Sequence, residues 1–332
     1  MAALSDVNPT YLDWAKRLGP DGNIDMIVEI MNEMMPVMED QVVLEANQAL
    51  SHRTTVRSGL PNGAWRKLNY GVPPEKSTTK QITDTIGSLE TYAEVDKDLA
   101  DLNGNSAAWR LSEESAFIEG LTQTMTETLL DGNTDTDPEK FMGFNERFND
   151  TSAENGRMIV QSSNNTGSAS ASIWGIVWDS RSAHGIFPKG SSAGLKHEDL
   201  GQETLTDSNT PTGMYEGYRS HYQWKHGLSV RDWRQICRVQ VIAGDLSANG
   251  GADKILDLLV DAYNNLQAPN RGRLVFYTTR EIKTALDIEA VNKTNMALAQ
   301  QQQDNGGPVT TFWGYPIKHL ETLSSYGEAA VS

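Results

Sequence analysis

The chain has one cysteine, Cys237, in 332 residues, so no intrachain disulfide is available and stability must come from packing and association. It has no run of about eighteen apolar residues, which excludes a spanning helix. Cations are scarce: 28 Lys and Arg stand against 44 Asp and Glu, a formal net charge of −16. A surface of that sign repels phosphate, so the protein is not one that grips nucleic acid with its whole exterior. The six histidines are scattered without cysteine or carboxylate partners at zinc spacing, and no Gly-Lys-Ser/Thr phosphate loop occurs. No cofactor or metal is expected. The N-terminus, MAALSDVNPTYLDW, lacks the charged start and apolar stretch of an export signal, and the chain is expected to stay where it is made.

Against that acidic background the few cations are unevenly placed. Residues 51–80 hold Arg53, Arg57, Arg66, Lys67, Lys76 and Lys80 against Glu75 alone. The sequence HRTTVRSGLPNGAWRKLNYGV alternates β-branched and aromatic residues around Leu60-Pro61-Asn62-Gly63. Asn-Gly favours a tight hairpin turn, which predicts a long basic ribbon turning there. Two strands with few large apolar side chains cannot sustain themselves in water and need a second surface. An acidic one follows: residues 81–105 carry Asp84, Glu90, Glu94, Asp96, Asp98 and Asp101 against Lys97. One copy's ribbon docked on the next copy's acidic segment would be a head-to-tail contact, the kind that closes rings and shells. In this reading Arg53, Arg57, Arg66, Lys76 and Lys80 supply inter-subunit ion pairs and Leu60 and Trp65 the apolar anchors.

The rest of the chain divides by pattern. Residues 1–50 read as a helical arm, with Pro9 at a helix start and a second helix from about Asn23 to Met35 that Pro36 stops. Met26, Met31, Met34, Met35 and Met38 suit either an adaptable interface or an intrachain core. A long helix is predicted from Ser112, the candidate N-cap, to Leu130, with Phe117, Leu121, Met125 and Leu129 as its apolar stripe. Ser172–Phe187 reads as a hairpin turning at residues 179–182, Lys189–Gly213 as polar loop, and Tyr215–Ile242 as further strands. After a break near Ala248, a helix over Asp253–Asn265 with Ile255, Leu258, Leu259 and Ala262 on one face precedes the buried strand Arg273–Thr278, giving a compact α/β lobe.

Three motifs that imitate chemistry are better read as structure. Gly190-Ser191-Ser192-Ala193-Gly194 matches the nucleophile elbow, but Pro188-Lys189 before it and a polar segment after it do not supply the strand and helix that a catalytic Ser192 needs. Asp131, Asn133 and Asp135 begin like a calcium loop, but Thr136 and Met142 occupy the positions of its glycine and its bidentate glutamate. Trp65-Arg66-Lys67 is a stacking-plus-cation motif for single-stranded nucleic acid, though the acidic run downstream would repel the same backbone.

The stretch His52–Gly120 closely resembles the major capsid proteins of tailed bacteriophages, particularly a podovirus-like branch. Shorter similarities follow in family order at FMGFNERFN (from Phe141), SIWGIVWDSRSAHGIFPKG (from Ser172), GLSVRDWRQICRV (from Gly227) and TFWGYPI (from Thr311). The resemblance implies an α+β chain of the Hong Kong 97 fold. Its parts would be an N-terminal arm (1–50), an extended β-hairpin loop (51–105), a β-rich peripheral domain (106–245) with a spine helix at 112–130, and an α/β axial domain with the C-terminal segment (246–332). Because the strand-rich part precedes the α/β lobe, a strand order rearranged from the founding member is expected.

The function implied is a non-enzymatic shell subunit assembled in the bacterial host cytoplasm and located in the virion. Its partners would be further copies in hexamers and pentamers, a scaffolding protein, a portal, a cement protein, and packaged double-stranded DNA held by non-specific contact. Some relatives cross-link a loop lysine to a neighbouring asparagine, which would place Lys76 and Lys80 as candidates, but ordinary ion pairing is the reading for these two. An encapsulin-like compartment would share the fold, and a soluble serine hydrolase using Ser192 is the alternative outside it.

Overall fold

The computed structural model describes residues 36–101, 106–162, 170–206, 213–242, 251–292, 298–302, 308–323, 328 and 331. The two helices expected in the first 35 residues lie outside the described residues. In chain order the strands are β1 (Val43–Glu45), β2 (Ser51–Gly59), β3 (Thr78–Thr85), β4 (Gly87–Asp96), β5 (Ile159–Gln161), β6 (Ser170–Trp178), β7 (Ala183–Phe187), β8 (Leu195–Thr206), β9 (Met214–Val230), β10 (Ile236–Ile242), β11 (Arg273–Thr278), β12 (Leu298–Gln302), β13 (Pro308–Phe312) and β14 (Tyr315–His319). Residues 88–126 and 194–225 gather in one compact unit, and residues 35–87, 127–193 and 226–332 in a second.

The second unit is organised by β6. Its sequence, SASIWGIVW, carries no charged side chain, and every position is buried. It lies antiparallel to β10 on one edge and to β11 on the other. β11 pairs parallel with β14, which continues antiparallel into β13 and β12. Gly175 is what lets the neighbours close in: a Cβ there would stand 2.5 Å from the Cys237 sulfur and 2.8 Å from a Phe276 ring carbon. Phe144 and Phe148 pack their rings on Trp174, and Phe144 also meets Trp178 edge-on. Helix Gly251–Asn265 sets Ile255, Leu259 and Ala262 into this core, as its spacing predicts, while Leu256 is buried in place of Leu258, which is only half-buried.

A polar knot fixes the start of the unit to the sheet. Tyr277 accepts from the Trp178 indole N–H at 2.9 Å and donates to Asp40 at 2.9 Å. The other Asp40 oxygen meets Lys318 at 2.7 Å and Arg273 at 2.8 Å. Asp40 belongs to the helix Pro36–Asp40, so Pro36 begins a helix here, where fixed φ and a missing N–H cost nothing.

Three expectations change. The turn at 179–182 forms, with the Ser182 N–H donating to the Asp179 carbonyl, but β6 and β7 are not a hairpin. β7 meets β6 only in a parallel bridge at Trp178↔Ala183, beyond the end of the β10 ladder, and otherwise runs antiparallel to the end of β9 and parallel to β1. The strand-rich part and the α/β lobe, expected as separate, also share one sheet. From the long helix the chain passes into β5 and β6, and β6 and β10 share a sheet with β11, so strands on both sides of residue 246 belong to one unit. In the first unit, residues expected as loop form β8, paired antiparallel with β9 from Leu195↔Trp224 to Thr206↔Met214. Most of β8 is exposed, so it is held by backbone hydrogen bonding and carries no apolar alternation to betray it.

The long helix is Ser106–Asp131, 26 residues or about 39 Å, so Ser112 lies inside it and is not its cap. The stripe holds: Leu121, Met125 and Leu129 are buried, and Phe117 packs on Ala93, Leu121 and Tyr222 with Leu89 and Leu195. A second small cluster joins Val95, Leu99 and Ala100 to Tyr218.

Candidate assembly surface

The basic ribbon exists, but its turn is not at Asn62-Gly63. β2 pairs antiparallel with β3, from Ser51↔Thr85 to Gly59↔Thr78, and residues 60–77 form the tip between them. The tip's tight turn centres on Leu68-Asn69, six residues later than predicted: the Tyr70 N–H donates to the Lys67 carbonyl at 3.2 Å, Asn69 takes φ 68°, and Arg66 Nε braces the turn on the Tyr70 carbonyl at 3.1 Å. Asparagine tolerates the left-handed region better than most residues, which is why Leu68-Asn69 can turn without glycine.

The tip presents apolar side chains to solvent. Trp65 is 102% exposed, Leu68 90%, Leu60 73% and Tyr70 69%, four large apolar side chains bare within eleven residues. Arg53, Arg57, Arg66, Lys67, Lys76 and Lys80 are all exposed, and none forms an ion pair with another described residue. Of the sequence-derived anchors, then, Leu60 and Trp65 lie open on the tip and the cations line the ribbon.

The acidic segment is placed differently from the sequence reading. Asp84 is not a surface group: it is 3% exposed, and Arg147 of the same chain holds it at 2.9 Å while also donating to the Leu228 carbonyl. The paired guanidinium is what lets this carboxylate enter the core. Glu90 accepts from Gln223 and Ser88 and faces His221 at 3.3 Å; those hydrogen bonds, Gln223's foremost, hold its carboxyl below the usual range. Glu94 meets Arg219 at 3.1 Å. Asp96 caps the short helix Lys97–Ala100 through the Asp98 N–H, and Asp98 itself is exposed. Much of this acidity is spent within the chain.

Sequence reasoning missed the groups that receive those acids. On β9, Arg219 lies 4.3 Å over the Tyr92 ring, and His221 stacks on the same ring with centroids 4.5 Å apart. Arg110 joins Asp199 at 2.7 Å, and that guanidinium keeps the Asp199 carboxyl low. The period-2 spacing of Arg219 and His221 on a half-buried strand was the available signal, but the acids they meet, Glu94 and Glu90, are more than a hundred residues away. Ser192 sits in an exposed turn followed by β8 rather than a helix, so the elbow geometry is absent there.

Comparison with known proteins gives these features a family. A search of curated proteins finds no match to the chain. Among solved structures, the bacteriophage Epsilon15 structure matches with TM-score 0.76 and 26% identity, covering 99% of this chain and 100% of that one. The bacteriophage JBD30 capsid aligns at TM-score 0.48 and 10% identity over 89% and 91% of the two chains. The SrpI encapsulin from Synechococcus elongatus aligns at 0.44 and 8% over 65% and 90%. The family model described as Major capsid protein GP7 matches residues 19–332, and the chain belongs to that family of phage capsid subunits.

Proposed function

We propose that many copies of this chain close as hexamers and pentamers into an icosahedral head around double-stranded DNA, with the β2–β3 ribbon as the extended loop that overlaps a neighbouring subunit. The observation that carries this reading is the tip itself: Trp65, Leu68, Leu60 and Tyr70 lie bare between cations that form no ion pair with another described residue, an arrangement unfavourable in a lone subunit and favourable in a contact. Ion pairs from Arg53, Arg57, Arg66, Lys76 and Lys80 would set register, and acids left open, such as Asp98, would receive some of them. Glu90, Glu94 and Asp96 would act first by holding the receiving face in shape.

In this assignment the helix Ser106–Asp131 is the spine, residues 88–126 and 194–225 form the peripheral domain, and the β6-centred sheet with its helices forms the axial domain. Each subunit would bury several thousand Å² against its neighbours, as permanent assemblies do. The net charge of −16 keeps the attraction for packaged DNA weak and non-specific. A scaffolding protein, a portal at one vertex and a cement protein outside are the partners this role calls for, and assembly would occur in the host cytoplasm. Electron microscopy of the expressed protein tests the reading: closed shells are expected, and loss of shells on deleting residues 60–77 assigns them to the ribbon. Deleted subunits that still close shells would refute the ribbon's role.

A further inference from the structure

Behind the ribbon, in the sheet-bearing unit, two adjoining clefts of about 680 and 330 Å³ are lined by arginine. Arg57 comes from β2, Arg157 from the turn before β5, Arg181 from the turn after β6, Arg231 and Arg234 from the corner between β9 and β10, and Arg271 from the turn before β11. Only two carboxylates share these walls, and one is spent: Asp232 accepts from Arg234 Nε at 2.8 Å and Nη2 at 3.1 Å. Arg231 donates to the Ser180 carbonyl at 3.2 Å, and Arg157 lies 5.0 Å over the Trp233 ring. Arg57, Arg181 and Arg271 are exposed and form no ion pair with another described residue.

Six guanidiniums against two carboxylates, in a chain with 16 surplus acids, is a concentration of like charge that an isolated subunit gains nothing from. The guanidinium fork matches oxyanions, so the site is built for one. Two features select carboxylate over nucleic-acid phosphate. A DNA duplex is stiff, with a persistence length of about 50 nm, and its phosphates would reach only the rim. The walls also include Val56, Leu60 and Trp233, which a phosphate backbone leaves uncovered and a peptide covers. The geometry points to this cleft as the receptor for an acidic segment of a second copy of the chain. Resting on the shell reading above, it makes the ribbon a two-sided device whose tip reaches one neighbour while its root, through Arg57, receives another's carboxylates.

The test uses full-length subunits and the double reversal Arg181→Glu with Arg271→Glu, beside the charge-keeping Arg181→Lys with Arg271→Lys. Poly-L-glutamate is expected to bind wild-type subunits and to raise the protein concentration at which shells appear. The reversal should weaken that binding at least tenfold and raise the assembly threshold similarly, with unchanged thermal unfolding, and the lysine pair should recover most of both. Unaltered poly-L-glutamate binding and assembly in the reversal would overturn the inference. So would a reversal that assembles normally but loses affinity for a short DNA duplex, because the cleft would then serve nucleic acid. Should the reversed chain misfold, tight poly-L-glutamate binding by wild type and the lysine pair still supports the cleft, and its absence overturns it. Wild-type subunits that never form shells would count against the capsid reading alone, since peptide binding is read on free subunits.

Discussion

Trp65 gives the sharpest separation between folding and assembly. Its side chain touches nothing in its own subunit, being 102% exposed, so Trp65→Ala should change subunit stability by no more than about 0.5 kcal/mol, as at other surface sites. In a closed shell the same ring would be covered. A tryptophan offers roughly 200 Å², and at about 25 cal/mol per Å² full burial corresponds to about 5 kcal/mol. Alanine retains part of that area, so truncation should cost about 3 kcal/mol at each interface, within the range of interfacial hot spots. That is about a hundredfold in association constant. Light scattering against protein concentration reads the assembly threshold, and thermal unfolding of dissociated subunits reads the fold. The expected result is a threshold raised by orders of magnitude with the unfolding transition unmoved. A variant that assembles at the wild-type threshold, or whose lone subunit is clearly destabilised, would refute the reasoning.

The buried pairs should behave oppositely, weakening the subunit itself. Arg147→Ala strands the buried Asp84 carboxylate and should cost about 3–5 kcal/mol in chemical denaturation of free subunits; a loss under 1 kcal/mol would show that the pair is not what holds the ribbon's root. Glu328→Ala should cost about 3 kcal/mol and expose the C-terminal segment to protease, because Arg238, 5% exposed, would lose its 3.0 Å carboxylate partner; unchanged proteolysis would contradict this. His184 and His226 are buried and held neutral, each pushed down to about 4 chiefly by burial, whereas the unfolded chain protonates them near 6.5. Their contribution is therefore complete above pH 6.5 and is lost as pH falls from 6.5 towards 4. The slope approaches roughly 1.4 kcal/mol per pH unit for each group below pH 6, so about 3 kcal/mol should disappear between pH 6.5 and 5. A flat denaturation midpoint across that interval would contradict the assignment, as would an unchanged slope in His184→Gln with His226→Gln.

What could be read from the sequence was local. The stripe Phe117–Leu121–Met125–Leu129 and the face Ile255, Leu258, Leu259 and Ala262 are set by helical period, and both are buried except at Phe117 and Leu258, which are half-buried. The ribbon's existence followed from β-branched alternation and its cationic excess. Its turn did not, because Asn62-Gly63 and Lys67–Tyr70 are both competent and only the tertiary register of β2 on β3 chooses between them. β8 was missed because an exposed polar strand has no hydrophobic signature. The neighbours of β6 were missed because pairing with β10 and β11 is non-local: the strand's own residues say that it is buried but not between which partners. The same limit applies to the acids. Asp84 and Asp98 look alike in sequence, yet Arg147 draws one into the core and leaves the other at the surface. The arginine clefts are assembled from five separate turns and strands, so no window of the sequence contains them.

The most direct measurement is a cryo-EM reconstruction of the particle that the purified protein forms, inspected at Trp65. The expected result is a closed shell in which the indole is enclosed by a neighbouring subunit and the ribbon's cations lie within reach of that neighbour's carboxylates. A closed shell in which Trp65 remains in open solvent would contradict the proposal that the ribbon tip joins the subunits.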